Sequence, residues 1–265
     1  MTLVTVVLLY LALGAVAGVL AGLFGIGGGL IIVPGLILSF GWQGVSPDVS
    51  AHLAVGTSLA TIVFTSLSSI RSHHRHRAVR WDLFRPMAVG IVMGAVVGAW
   101  TAAYLSGPAL QKIIGVFAIT VALRMFLNAT PKPGRDTPGA IGLGGAGVGI
   151  GWASALFGIG GGTLTVPYLS WCNVRIQAAV GTSAACGLPI AVAGALANVW
   201  TGWQNPALPA YSLGFINVPA LLGIIATSVL CARVGANLAH RLNARVLKRI
   251  FALLLLVLGL RFLMS

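Results

Sequence analysis

Long apolar stretches separated by short polar breaks dominate the sequence. Asp48 is the only charged residue before Arg71, and Arg175 is the only one between Asp136 and Arg233. Stretches of this length exceed the buried helices of soluble proteins and match bilayer spans of about 20 residues. Because a bilayer offers no water to backbone groups, the spans are predicted to be helices. The predicted segments are roughly 3–23, 24–41, 50–70, 83–105, 110–127, 139–157, 158–172, 178–200, 214–232 and 246–264.

Several blocks of the first half return in the second. Residues 23–29, which read Leu-Phe-Gly-Ile-Gly-Gly-Gly, are repeated at 156–162, and Val-Pro follows each copy at the same distance. Ala-Val-Gly-Thr-Ser occurs at 54–58 and again at 179–183. Ordered matches over most of each half predict an internal duplication. We therefore divide the chain into a first membrane repeat (1–128), a cytoplasmic linker (129–138) and a second membrane repeat (139–265).

The basic residues lie in short loops, and their distribution differs between the halves. Five arginines fall in or beside the loop between segments three and four, whereas the equivalent loop of the second half, about 201–213, has none. The next loop reverses this bias, with Lys112 in the first half against Arg233, Arg241, Arg245, Lys248 and Arg249 in the second. By the positive-inside rule, the basic loops are cytoplasmic and both termini are outside. The halves are thus predicted to be inverted repeats, the architecture of many secondary transporters.

The composition narrows the function further. The 265 residues include 16 basic and 3 acidic ones, for a net charge of +13. A nucleic-acid-binding protein gathers basic residues on a folded polar surface, whereas here they mark the ends of membrane segments. The predicted partners are therefore the lipid bilayer and a small ligand, not nucleic acid, and a homo-oligomer is left open. The acidic residues lie at loops or segment edges, so the buried carboxylate relay of proton-coupled carriers and the catalytic set of an enzyme are both missing.

The duplicated glycine motif is the first candidate for function. Each glycine in a helix interior costs about 1 kcal/mol relative to alanine, so the motif predicts a helix break or a very close helix contact. Tight packing through small residues explains a single copy equally well. Two copies in inverted halves favour two breaks that face each other near the midplane, where helix N-termini present N–H groups to an anion. The candidate backbone donors are Gly25, Gly27, Gly28, Gly29, Gly158, Gly160, Gly161 and Gly162.

A duplicated Thr-Ser pair supplies the second set of candidates. Thr57 and Ser58 in the first half correspond to Thr182 and Ser183 in the second. Hydroxyls within a helix commonly bond to their own helix carbonyls, and the alternative is that these four donate to a bound oxyanion.

Five further residues are accessory candidates. His52 and Gln177 occupy equivalent positions and are candidates for polarising or gating the same cavity. The others are Arg175 at a cytoplasmic segment end, Pro189 as a helix kink, and Asn198 as a further donor. The three histidines of the arginine-rich loop have no carboxylate or cysteine beside them, so neither a metal nor a cofactor is predicted.

These motifs resemble the TauE/SafE family of sulfite exporters, also called the TSUP family. The resemblance rests on two Phe-Gly-Ile-Gly-Gly-Gly-(x)4-Pro blocks, Phe24 to Pro34 and Phe157 to Pro167, and on the two Val-Gly-Thr-Ser blocks. It covers nearly the whole chain, and it implies export or exchange of sulfite or an organosulfonate such as sulfoacetate across a prokaryotic cytoplasmic membrane. We expect a secondary transporter that works by alternating access. An anion channel, a transporter of another small anion and a non-transporting scaffold are the alternatives, and an enzyme is not expected.

Overall fold

The computed structural model describes residues 2–24, 28–127, 134, 136–238 and 244–264. Some of the predicted features lie outside the described residues. These are Gly25 and Gly27 of the first glycine motif, most of the linker, and Arg241.

Within the described residues the chain forms ten α-helices and one short hairpin. The first five helices are α1 (Leu3–Phe24), α2 (Gly29–Trp42), α3 (Pro47–Arg75), α4 (Trp81–Tyr104) and α5 (Gly107–Phe126). The second five are α6 (Ala140–Leu156), α7 (Gly162–Trp171), α8 (Ile176–Thr201), α9 (Val218–Leu238) and α10 (Ala244–Met264). Strands β1 (Ser212–Leu213) and β2 (Ile216–Asn217) pair antiparallel between α8 and α9. The prediction of an all-α membrane protein built from ten helical segments is confirmed.

Five of the described helices are long and apolar enough to cross a membrane, namely α1, α3, α4, α5 and α8. The two helices that follow the glycine motifs are much shorter, with 14 residues in α2 and 10 in α7. At a rise of about 1.5 Å per residue, α7 is roughly 15 Å long, which is about half of a hydrocarbon core. Each glycine motif therefore precedes a helix that is too short to span the bilayer alone.

Several segments differ from the prediction at their ends. Helices α2 and α7 begin at Gly29 and Gly162, so the predicted starts at residues 24 and 158 were wrong. Helix α3 continues to Arg75, so Arg71–Arg75 is helical and the prediction of a loop there was wrong. Basic side chains interact favourably with the negative end of a helix dipole, which suits them to this last turn. Helix α9 begins at Val218 instead of residue 214, because residues 214–217 form the hairpin turn and β2. Gly214 has φ +53°, and a Cβ there would lie 2.6 Å from Cα of Val199.

Helices of the first half pack mainly against helices of the second. Helix α4 runs along α6 and α1 along α9, while α3 contacts α8 and α5 contacts α10. Exchanging α1–α5 with α6–α10 converts the α4–α6 pair into the α9–α1 pair and leaves the other two pairs unchanged. The packing of the helices therefore follows the duplication seen in the sequence.

Glycines allow the backbones of these pairs to come very close. Gly90, Gly94 and Gly98 repeat every four residues on α4, and a Cβ on any of them would run into the backbone of α6. Gly147 and Gly151 do the same from α6 toward α4. Gly14 and Gly18 of α1 face the backbone of α9 in the same manner. The close contact between the halves therefore depends on glycines, which have no side chain to hold the two backbones apart.

Helix α3 forms the centre of the protein. Every residue from Val49 to Ile62 is buried, and the helix contacts α2, α5, α8 and α9. The first Thr-Ser pair thus lies inside the protein and not on its lipid-facing surface.

Candidate functional site

The helix break predicted in the second half is present and has a defined geometry. Helix α6 ends at Leu156, and Gly158 follows with φ +64°. The N–H of Gly158 donates to Ala155 O at 3.3 Å, and the N–H of Ile159 donates to Ser154 O at 2.9 Å. This pair of bonds is a Schellman motif, which ends a helix with a left-handed residue and suits glycine. Helix α7 then starts at Gly162, so its first N–H groups have no partner within the helix.

The two glycine motifs meet inside the protein. A Cβ on Gly29 would lie 2.6 Å from Gly158 O and 3.0 Å from Cα of Ile159. On Gly158, a Cβ would lie 2.7 Å from Cγ2 of Val33 and 3.0 Å from Cα of Val55. The hydroxyl of Ser58 donates to Gly158 O at 2.7 Å in a buried hydrogen bond. The structure therefore brings Gly29, Ser58 and Gly158 together, from both halves.

The rest of the second motif packs on α8. A Cβ on Gly161 would lie 2.5 Å from Ser183 O and 3.1 Å from Gly187 N. Gly160 is also buried, between the break and the start of α7. In the first half, Gly28 is the N-cap of α2, and its carbonyl accepts the N–H groups of Ile31 and Ile32 at 3.0 Å each.

Thr57 and Thr182 hold the starts of two helices from the opposite half. The hydroxyl oxygen of Thr57 accepts the N–H of Asn217, just before α9, at 2.9 Å. That of Thr182 accepts the N–H of Arg80, just before α4, at 3.0 Å. The glycine before each threonine makes room for the same strand of backbone, with Gly56 against Phe215 O and Gly181 against Ala78 O. The two Gly-Thr pairs therefore make equivalent contacts between the halves, each with one hydrogen bond and one close backbone approach.

Removing the two threonine hydroxyls should destabilise the protein unequally. In Thr57→Val the N–H of Asn217 stays buried without an acceptor, which costs about 1–3 kcal/mol. In Thr182→Val the N–H of Arg80 is only partly buried, so water reaches it and the loss is smaller. We expect thermal unfolding in detergent to show the lower midpoint for Thr57→Val. Thr120→Val is the control, since Thr120 is exposed on α5, and a greater loss in Thr182→Val would contradict this ranking.

The accessory candidates occupy different environments. His52 is 5% exposed, stacks on Phe215, and its Nε2 lies 2.9 Å from Ala102 O and 3.1 Å from Leu105 O. Two carbonyl neighbours require Nε2 to carry a proton and to donate, so His52 ties α3 to the end of α4. Gln177, its sequence equivalent, is exposed at the start of α8, and so is Arg175. The structure does not bring these two into the buried cluster.

Asn198 and Pro189 both lie on α8. Asn198 is buried beside Gly56, and its Nδ2 donates to Gly194 O at 2.8 Å. Pro189 sits within the helix, which continues on both sides of it. It lines an apolar groove of about 730 Å³ between α4 and α8, together with Trp100 and Trp200.

One set of polar residues at the break was missed by the sequence analysis. The hydroxyls of Ser154, Thr163 and Thr165 are buried, and none has a hydrogen-bond partner in the described part of the chain. Two of them could have been noticed by comparing the two motif copies. The second copy has Thr163 and Thr165 where the first has Leu30 and Ile32.

Comparison with known proteins decides the family. The sequence model of the family described as sulfite exporter TauE/SafE matches residues 10–262. The chain belongs to the TauE/SafE family. A protein of Haemophilus influenzae named probable membrane transporter protein is 38% identical over 258 residues, which cover 96% of each chain. No solved structure matches the chain significantly.

More distant relatives of the TauE/SafE protein carry the same description. A probable membrane transporter protein of Methanocaldococcus jannaschii, MJ0441, is 27% identical over 95% of this chain and 93% of its own. The probable membrane transporter protein YunE of Bacillus subtilis is 24% identical over 93% of each chain. With the apolar helices described above, these matches identify the protein as a multi-pass membrane transporter.

Proposed function

We propose that the protein is a secondary transporter that exports or exchanges a small sulfur-containing anion of the sulfite or organosulfonate class. The observation that carries this proposal is the break between α6 and α7, where residues 158–161 are buried and the first N–H groups of α7 have no partner within the helix. The positive end of a helix dipole favours an anion at such a place. Membership of the TauE/SafE family supports the sulfur-containing class.

The proposed mechanism is alternating access between two inverted repeats, 1–128 and 139–265. The pattern of helix pairs, which is preserved when the halves are exchanged, supports this mechanism. In an inverted pair, the contact between Gly29 and Gly158 lies near the midplane, so a tilt of one half against the other exposes it to each side in turn. The proposed setting is the cytoplasmic membrane, with the basic loops inside the cell and both termini outside.

Uptake of radiolabelled sulfite into liposomes that hold the purified protein tests this function. We expect saturable uptake that an unlabelled organosulfonate inhibits, and its loss in Gly161→Leu, because a side chain at position 161 enters the backbone of α8. Gly149→Leu is the matched control on α6, since a Cβ at Gly149 has nothing within 4 Å. Equal insertion and monodispersity of the two variants must be established in detergent.

Electrical recording and the liposome assay together separate the alternatives. An anion channel gives unitary conductance steps in planar bilayers, which a carrier does not. A scaffold gives no flux of any anion, and this result would overturn the proposed function.

A further inference from the structure

The apolar groove between α4 and α8 extends over most of the length of α4. Phe84 and Leu188 line one end of it, and Trp100 and Trp200 line the other, so the two helices run in the same direction along the groove. The stretch of α4 from Phe84 to Trp100 is about 24 Å long, at a rise of about 1.5 Å per residue. The hydrocarbon of one bilayer leaflet is about 15 Å thick. The groove, of about 730 Å³, is therefore long enough for the acyl chain of a membrane lipid.

The groove lies between the two halves of the protein, because α4 belongs to the first repeat and α8 to the second. The two helices are joined just before the groove begins, where the N–H of Arg80 donates to the hydroxyl of Thr182 at 3.0 Å. Beyond this point Val92, Leu196 and Trp200 line the groove and are partly exposed. Whatever fills the groove therefore contacts both halves.

Charged residues are found at only one end of the groove. Arg85 is exposed next to Phe84, and it lies two helical turns before Val92, so both are on the same face of α4. The carboxylate of Asp82 pairs with Arg80, and Arg85 forms no ion pair with the residues that the structure describes. The other end of the groove falls within 86–111 and 176–217, two stretches that contain no Lys, Arg, Asp or Glu.

Aromatic rings stand beside Arg85 at the charged end. Trp81 is 39% exposed and lies one helical turn before Arg85. Its ring packs edge-on against Phe84, with the centroids 5.4 Å apart, and against His74 at 5.8 Å. Exposed tryptophans of membrane proteins commonly lie at the level of the lipid headgroups. A free arginine at that level, next to a hydrocarbon-lined groove, is complementary to a negatively charged headgroup with an acyl chain attached.

We propose that the groove binds one acyl chain of an anionic phospholipid, whose phosphate contacts Arg85 beside Trp81. The lipid then holds α4 and α8 together across the boundary between the repeats. A helix from a second copy of the chain fits the groove less well, because membrane helices approach one another through small residues. The glycine stripe of α4, formed by Gly90, Gly94 and Gly98, already faces α6.

Thermal unfolding of the delipidated protein in detergent tests the headgroup contact, with dioleoyl phosphatidylglycerol or dioleoyl phosphatidylcholine added. An arginine near the surface strengthens binding of an anionic lipid by about fivefold, so half-maximal stabilisation should need about fivefold less phosphatidylglycerol. Arg85→Gln should abolish this preference, and Arg85→Lys should retain it. Arg71→Gln is the control, an exposed arginine at the same end of the protein but on α3. Equal action of the two lipids on the original protein, or a preference that survives in Arg85→Gln, would overturn the proposal.

Two neighbouring valines of α4 test where the acyl chain binds. Val96 lines the groove, whereas Val97 is 56% exposed and is not among the lining residues. Each methylene displaced from an apolar site weakens binding by about fourfold, so Val96→Trp should raise the phosphatidylglycerol needed for half-maximal stabilisation by at least about tenfold. Val97→Trp should leave it unchanged.

An unchanged lipid response in Val96→Trp would overturn the proposal. If size-exclusion chromatography also showed that this variant turns a dimer into a monomer, a second copy of the chain would be the occupant instead. These measurements need no flux, so their outcome is separate from that of the sulfite uptake assay.

Discussion

Alanine at position 158 should abolish anion flux and destabilise the protein. Gly158 has φ +64°, a conformation that costs other residues about 1–2 kcal/mol. The new Cβ would lie 2.7 Å from Val33 and 3.0 Å from the backbone of Val55, so α2 and α3 have to move. Overpacking of this kind typically costs about another 1–3 kcal/mol. Because Gly158 O accepts the hydroxyl of Ser58, the same movement disturbs the junction of the two glycine motifs.

The measurement combines flux in liposomes with thermal unfolding in detergent. Gly149→Ala is the control, because it replaces a helical glycine on α6 that has open space around it. Alanine is the better helix former, so we expect this control to match or exceed the stability of the original protein. Wild-type flux in Gly158→Ala would show that the left-handed turn is not required for transport.

Leucine at position 94 should prevent the two halves from assembling. Gly94 lies in the middle of the glycine stripe on α4, and its Cβ would lie 2.8 Å from the carbonyl carbon of Val148 and 2.9 Å from the N of Trp152. These are backbone atoms of α6 and cannot rotate away, so α4 and α6 separate along their length. Because this contact joins the two halves, we expect Gly94→Leu to give no stable, monodisperse protein. This loss of stability should exceed that of a leucine substitution at any exposed glycine.

Size-exclusion chromatography and protease resistance of the solubilised protein measure this effect. Gly149→Leu adds the same side chain to the partner helix on a face without neighbours. It should leave both properties unchanged. A monodisperse, protease-resistant Gly94→Leu protein would contradict the close α4–α6 contact.

The helices and their order were predictable because a segment that lies in the bilayer has to be apolar over its whole length. The ends of α1 and α6 were predictable for a different reason, since the glycine repeats marked where a helix must stop. The same repeats identified Gly29 and Gly158, which the structure places in contact. These features are local, and local pattern is what a single sequence displays.

The roles of individual side chains were harder to predict from the sequence. Thr57 accepts a hydrogen bond from Asn217 in the other half of the chain, and no local pattern records so distant a partner. The hairpin between α8 and α9 has two residues per strand, too few for an alternating pattern. The hydroxyls of Thr163 and Thr165 are visible in the sequence, but only the structure shows that they are buried without an acceptor.

The pairing of α1 with α9 also has a consequence for synthesis on the ribosome. Helix α1 enters the bilayer first, yet its partner is almost the last helix to be translated. Until then, Gly14 and Gly18 face lipid, and Thr57 has no N–H group to accept. The α4–α6 and α3–α8 pairs can form before α9 is made, whereas α1 lacks its main partner until then. Assembly is complete only when α9 has left the translocon, so a message truncated before Val218 yields a protein whose α1 has no main partner helix.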